Sequence, residues 1–355
     1  MTDPRFETLF ARYQAELEDF WGRRENEPCF WRKFSLFGRP VQVSSNDAGA
    51  LAAVDFSQPL YSVAPVSPET PFSIQLVVRA APVDPGPVPD DLVRFIQYTG
   101  QGAWLAMQFG GWGHCLVDLA AYRAVAVLTP QLAQRPELVS SWLLNTIFNN
   151  LLKASGLSML HATGLVRDRR VLLLMAPHNS GKSTTALHLA LAGYALLSDS
   201  QIYISPGGDR TRLMGFPVGR IKLRPDMASR FPRLQPWLTA EQVRTETKYS
   251  LDLGQLDPAL VYREAIQPST IELCLLRRNG GHKTRLTAAS RTDIMEAVML
   301  NSLFYDTAVV WQHNLALIEQ LVDRARLHHL TIGADVDEMI STLDGLMKGD
   351  DSVIV

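Results

Sequence analysis

The sequence predicts an α/β protein of two globular domains, and three observations carry that expectation. A strand, a loop, a helix and a second strand follow one another between Leu160 and Leu197, helical apolar stripes close the chain, and short β-type runs dominate the first half. At 355 residues the chain exceeds the usual size of one domain, and 46% hydrophobic against 20% charged residues is enough to bury a substantial core.

Taken in order, Phe6, Leu9, Phe10, Tyr13, Leu17, Phe20 and Trp21 recur at the period of one helical face, so an amphipathic helix opens the chain. Its aromatic stripe suits a core or docking face better than a cofactor site. From Cys29 to about Tyr61 the pattern is short and broken, and Pro65, Pro68 and Pro71 punctuate a connection. Ile74, Leu76 and Val78 alternate with their neighbours as in a strand with one buried face, and 81–87 is a Pro/Gly loop. Between Gly100 and Val127 the glycines at 110, 111 and 113 separate two or three more strands. Pro136 then precedes a helical stripe, Leu138, Trp142, Leu143, Ile147, Leu151 and Leu152. The expected division is a mixed, β-rich domain over 1–135, a second domain over 136–347 and a frayed tail over 348–355.

The second domain opens with a strand near Leu160–Val166, a charged turn at 167–170 and the apolar run Val171–Met175, a hairpin-like start. A helix over Thr184–Leu191 follows, with Gly193 at its C-terminal cap, and Tyr194–Leu197 resumes a strand. Further on, Ile271–Leu276 and Thr284–Thr287 flank Asn279-Gly280-Gly281, a good hairpin turn. Helices are expected over about 293–304, 315–327 and 336–347. His328-His329 has no carboxylate or cysteine at metal-ligand spacing and is read as helix surface.

Lys plus Arg number 34 and Asp plus Glu 36, so no overall positive field draws a nucleic-acid backbone, and nucleic acid is not an expected partner. Cys29, Cys115 and Cys274 form neither a C-x-x-C pair nor a disulfide framework and read as reduced, buried thiols. No leader-like apolar region occupies the first 21 residues and no run of 18 apolar residues occurs. A soluble, cytoplasmic protein with no membrane partner is the expectation.

Residues 176–184 read Ala-Pro-His-Asn-Ser-Gly-Lys-Ser-Thr: the Gly-Lys-Ser end of a Walker A loop, with Ala176 where the first glycine belongs. In such a loop, backbone N–H groups and the start of the helix cradle phosphate oxygens. The residues from Pro177 through Thr184 (His178, Asn179, Ser180, Gly181, Lys182 and Ser183 between them) are therefore the candidate nucleotide-binding set. Lys182 brings positive charge to the outer phosphates, and the Ser183 hydroxyl suits Mg²⁺. Gly181 allows close backbone approach and Asn179 tolerates a left-handed conformation; the His178 side chain is expected to face solvent.

With Leu160-His161-Ala162 before the loop, Leu197-Ser198-Asp199-Ser200 after it, and Gly215-Phe216-Pro217 leading to Ile221-Lys222-Leu223-Arg224-Pro225-Asp226, residues of about 150–345 resemble the HPr kinase/phosphorylase-like family, nearest its divergent kinases. The resemblance implies a P-loop kinase domain of the HPr kinase / PEP carboxykinase-like type with a mixed sheet. It also implies ATP and Mg²⁺ as cofactors, Asp199 as general base or Mg²⁺ contact, His161 near the phosphates, and phosphate or substrate contacts from Arg220, Lys222, Arg224 and Lys248. Ser200 stands where the family has a second aspartate.

On the residues alone, other readings stay open: His161 as a hydrogen-bonded structural residue, Asp199 as a turn cap, the three alternating cations as a solvated face. The expected activity is Mg-assisted phosphoryl transfer from ATP to a hydroxyl of a peptide, protein or small molecule, in a chain that forms a homo-oligomer as related kinases do. The alternatives are a nucleotide-binding regulatory module, favoured by Ala176 and Ser200, and a phosphorylase or phosphatase acting in reverse.

Overall fold

The computed structural model describes residues 11, 30–57, 70–177, 180–207, 210–243, 246–278, 281, 283–301 and 308–354. Apart from residue 11, the expected opening helix over 6–21 lies outside the described residues, as does the Pro65–Pro68 connection. The chain divides into two compact units, the described residues of the first running through Ser155 and those of the second beginning at Gly156.

The first unit is built on a mixed seven-stranded sheet in the order β1-β2-β3-β7-β6-β5-β4. Its strands are β1 (Phe30–Leu36), β2 (Arg39–Ser45), β3 (Phe72–Val78), β4 (Ile96–Gln101), β5 (Trp104–Phe109), β6 (Gly113–Asp118) and β7 (Arg123–Leu128). The stretch that reads as broken in sequence is in fact the β1–β2 hairpin, turned by Phe37 and Gly38 at φ 53° and 85°. Three strands, β5 to β7, fill the region between Gly100 and Val127 as expected, and β4 precedes them. Parallel neighbours flank β3 on both sides, so Gln75 and Val77 are buried along with Ile74 and Leu76, and the expected single buried face becomes two.

The stripe after Pro136 is helical, ending in α1 (Asn145–Ala154), and it packs in the first unit. Phe148 meets Phe34 edge-on at 5.9 Å. The division thus falls at Ser155/Gly156, a little beyond the 135–150 region that the sequence suggests.

The second unit centres on a mixed six-stranded sheet, order β11-β9-β10-β17-β19-β18. It comprises β9 (Thr163–Arg167), β10 (Arg170–Met175), β11 (Ala195–Ser198), β17 (Thr270–Arg278), β18 (Arg285–Ala288) and β19 (Arg326–Ile332). The β9–β10 hairpin is turned by Asp168 and Arg169, both left-handed at φ 49° and 61°, which suits the twist of the strands it joins.

The apolar run of β10 lies between two cores. Leu172 and Leu174 pack with α2 (Lys182–Leu191) and α5 (Val336–Lys348). Val171, Leu173 and Met175 pack with α3 (Arg291–Asn301) and α4 (Ala308–Arg324). Two small sheets complete the unit: β8 (Ser158–Leu160), β12 (Gln201–Gly207) and β13 (Arg210–Phe216) form one, and β14 (Arg220–Leu223), β15 (Leu238–Val243) and β16 (Glu246–Asp252) the other.

Three expectations are corrected here. The segments about Asn279-Gly280-Gly281 do not form a hairpin: β19 lies between β17 and β18, pairing parallel with the first and antiparallel with the second. Insertion of β19 gives β17 a parallel partner on each edge and buries Ile271 through Leu276 on both faces. His328 and His329 are not helix surface but members of β19, with His328 buried and its Nε2 2.8 Å from Glu272 Oε2. The closing residues are not a loose tail: Val353 and Ile354 pack against the core and Ile354 bridges to Leu286. Cys115 and Cys274 are free and buried, their thiols pushed up by burial, while Cys29 lies outside the described residues. Among the described residues no helix is long and apolar enough to cross a membrane.

Candidate functional site

The site forms where β10 ends and α2 begins. Gly181 caps α2 with φ 97°, a conformation that costs most residues energy and glycine little, and its carbonyl accepts from Thr185 N at 2.9 Å. The first N–H groups of α2 have no partner within the helix and point outward, carrying the positive end of its dipole. Ser180 Oγ donates to the Pro177 carbonyl at 2.8 Å and braces the loop. Lys182 is buried and its Nζ donates to the carbonyls of Ala176 at 2.6 Å and Pro177 at 3.3 Å. Burial lowers its pKa, with the nearby Asp199 carboxylate opposing but not cancelling the shift. His178 and Asn179 lie outside the described residues.

Asp199 follows the last residue of β11. Its Oδ1 accepts from Thr163 Oγ1 at 3.1 Å and its Oδ2 from the Lys222 backbone N–H at 3.4 Å. Burial is the largest influence on the carboxyl and raises its pKa to about 6; hydrogen bonds from the Ser183 hydroxyl, Lys222 N–H and Thr163 and the nearby Lys182 charge oppose the rise. Asp199 therefore holds its place by three donors rather than as a turn cap, and it couples directly to both Lys182 and Ser183.

The close approach of β13 fixes the end of β11. A Cβ on Gly215 would stand 1.8 Å from the Leu197 carbonyl oxygen, so only glycine fits there. Next to it, Ser198 Oγ donates at 2.9 Å to the Phe216 carbonyl, which belongs to the cis Phe216–Pro217 bond.

Loop, Asp199 and the small β14-β16-β15 sheet enclose a cavity of about 270 Å³. It is lined by His161, Ser180, Gly181, Lys182, Ser183, Thr184, Asp199 and Ser200 on one side. Arg220, Lys222, Arg224 and Lys248 line it from the small sheet. Register explains the second group: Ile221 and Leu223 point into the core, leaving Arg220 and Lys222 on the opposite face, and the Lys222–Ser250 pairing sets Lys248 on that face of β16. Arg224 is partly engaged, its guanidinium bound at 3.0 and 3.2 Å by Asp226 two residues on.

Sequence reasoning missed Arg278, which also lines the cavity. It closes β17, whose register with β10 carries it past Met175 and alongside the loop. Its signal in the sequence is the cation pair Arg277-Arg278 at the end of an apolar run.

Six cations line the cavity (Lys182, Arg220, Lys222, Arg224, Lys248, Arg278) against two carboxylates (Asp199, Asp226). The arrangement is suited to a polyanion, with helix N–H groups and cations on the walls. Among the described residues no group of three or more His, Cys, Asp or Glu side chains is placed to hold a metal. A hydroxyl and one carboxylate, Ser183 and Asp199, are still the donor set that Mg²⁺ takes when phosphates and waters supply the remaining ligands.

No family model and no curated protein matches the chain. Among solved structures it is similar to the HPr(Ser) kinase/phosphatase from Coxiella burnetii, at 16% identity and a TM-score of 0.28, over 55% of this chain and 95% of that one. That is a distant resemblance, and a score of this size carries no argument about what this chain does.

Proposed function

We propose that the second unit binds ATP with Mg²⁺ and transfers its γ-phosphoryl group to a hydroxyl of a peptide, protein or small molecule. The observation that carries this reading is the coupling of Asp199 to Lys182 and Ser183 in a cation-lined cavity that the first residues of α2 also line. The N–H groups of residues 181–184 and the Lys182 ammonium would hold the phosphates, and Ser183 with Asp199 would hold Mg²⁺, which when bound neutralises charge on the phosphate oxygens.

Asp199 is also the one carboxylate set to accept the proton of the attacking hydroxyl. With a pKa raised to about 6 it is ionised at neutral pH yet basic enough to take a proton, the balance a general base needs. Arg220, Lys222 and Lys248 line the cavity and would serve the acceptor; His161, also in the lining, would stand by the phosphates.

A second reading is favoured by Ser200, which leaves Asp199 as the site's single carboxylate on that strand end: a module that binds nucleotide and regulates without turnover. Melting temperature and phosphate release separate the two. ATP with Mg²⁺ should raise the melting temperature of the natural protein and leave Lys182→Ala unmoved. A kinase then consumes ATP when an acceptor is present and Asp199→Asn does not, whereas a binder shows the stabilisation alone. If the natural protein does not respond to ATP or ADP, nucleotide binding itself is rejected.

A further inference from the structure

We propose that Arg278 is the cation that holds the part of the nucleotide that is not transferred, the α- and β-phosphates, on the wall of the cavity opposite Asp199. The inference rests on the nucleotide reading above and adds to it a residue and a direction for the bound polyphosphate.

Sheet order supplies the direction. In β11-β9-β10-β17 the loop rises from β10, Asp199 follows β11 on one side of it, and Arg278 ends β17 on the other. A phosphoryl group that leaves toward Asp199 therefore has the remaining diphosphate toward β17. Parallel register brings the residue level with the loop: Met175 pairs with Leu275, and the three residues beyond it extend β17 past the point where β10 turns into the loop.

Alternation along the strand then selects Arg278 over Arg277. Cys274 and Leu276 belong to the core that contains α2, so Arg278 lies on the face of the sheet from which α2 and its N-terminal N–H groups rise. The side chain crosses the loop glycine closely, its Cδ 3.5 Å and Nε 4.0 Å from where a Gly181 Cβ would be. A guanidinium there offers two parallel donors to phosphate oxygens that the helix N-terminus already attracts.

The test uses the full chain and isothermal titration with ATP and with ADP, each with Mg²⁺. Arg278→Ala should weaken both nucleotides by the same factor, about tenfold, as loss of one charge-assisted contact to shared phosphates implies. Arg278→Lys should recover part of the loss, and the unliganded melting temperature should stay unchanged because the residue is exposed. In turnover, KM for ATP should rise with little change in kcat. Unchanged affinity for both nucleotides, or a loss confined to ATP, overturns the proposal while natural-protein binding still supports the nucleotide reading. If the natural protein binds neither nucleotide, that reading fails first and this one with it.

Discussion

Asp199 illustrates how a single residue divides between stability and chemistry. A carboxyl with a folded-state pKa of about 6 against an ordinary 3.8 binds its proton more tightly folded than unfolded. Its ionised form is therefore a burden on the unliganded fold, full above pH 6, shrinking as the pH falls toward 4, and gone where both states are protonated. Asp199→Asn should accordingly stabilise the unliganded protein at pH 7 by about 2 kcal/mol, allowing for the residue's partial exposure. The gain should vanish in thermal melts below about pH 4. The same variant should abolish phosphoryl transfer, while in the natural protein kcat/KM, which reports the unliganded enzyme, should climb with pH through about 6 and level above it. A variant that is no more stable at pH 7 than the natural protein would show that the carboxylate is not strained.

The chemistry at this scale was legible in the sequence because Gly-Lys-Ser and the Leu-Ser-Asp end of a strand are local patterns with local causes. Arg278 was not legible, since its position depends on which strand pairs with β10, a long-range fact.

At the scale of elements, β19 was hidden because its inward positions are His328, Leu330 and Ile332. A histidine in the inward series reads as polar and breaks the alternation, and only Glu272 across on β17 makes it an inward residue. Glu272 is wholly buried, with Arg170 and Arg326 at 3.7 and 3.5 Å from its Oε1. One carboxylate thus meets an imidazole and two guanidinium groups beside the junction of β10, β17 and β19.

Removal of that carboxylate takes the buried counter-charge from Arg170 and Arg326, leaving the latter only the exposed Asp351 among the described residues, and takes the hydrogen-bond partner from His328, a costlier change than replacing the whole cluster by apolar groups. Glu272→Ala should lower stability by about 3 kcal/mol in urea unfolding, and Glu272→Gln, which keeps volume and a hydrogen-bond acceptor for His328, by roughly half of that. Equal losses for the two variants would mean that packing, not charge, is what Glu272 provides. The β9–β10 hairpin and α2 needed no such partner, and the sequence placed both to within a few residues.

At the scale of the whole molecule, the order of strands in each sheet could not be read from the chain, because β3 pairs with β7 and β10 with β17 across long stretches of sequence. The division at Ser155/Gly156 has the same origin: the stripe of α1 shows that a helix forms, not which sheet it covers. What the topology does determine is where nucleotide binding should be felt. Every residue that lines the cavity lies in the second unit, drawn from the loop and the start of α2, His161 before β9, the end of β11, β14 with the residues flanking it, β16 and the end of β17. These are separate segments held together by the six-stranded sheet and the small sheet beside it, so a ligand that bridges them ties their local openings to one another. Hydrogen exchange with and without ATP and Mg²⁺ should therefore show slowed exchange in peptides covering 176–190, 199–204, 219–224 and 276–278 together. Peptides from β4 to β7 of the first unit should exchange at unchanged rates. Protection in the first unit instead would place the nucleotide, or a structural response to it, on the seven-stranded sheet, which the cation-lined cavity gives no reason to expect.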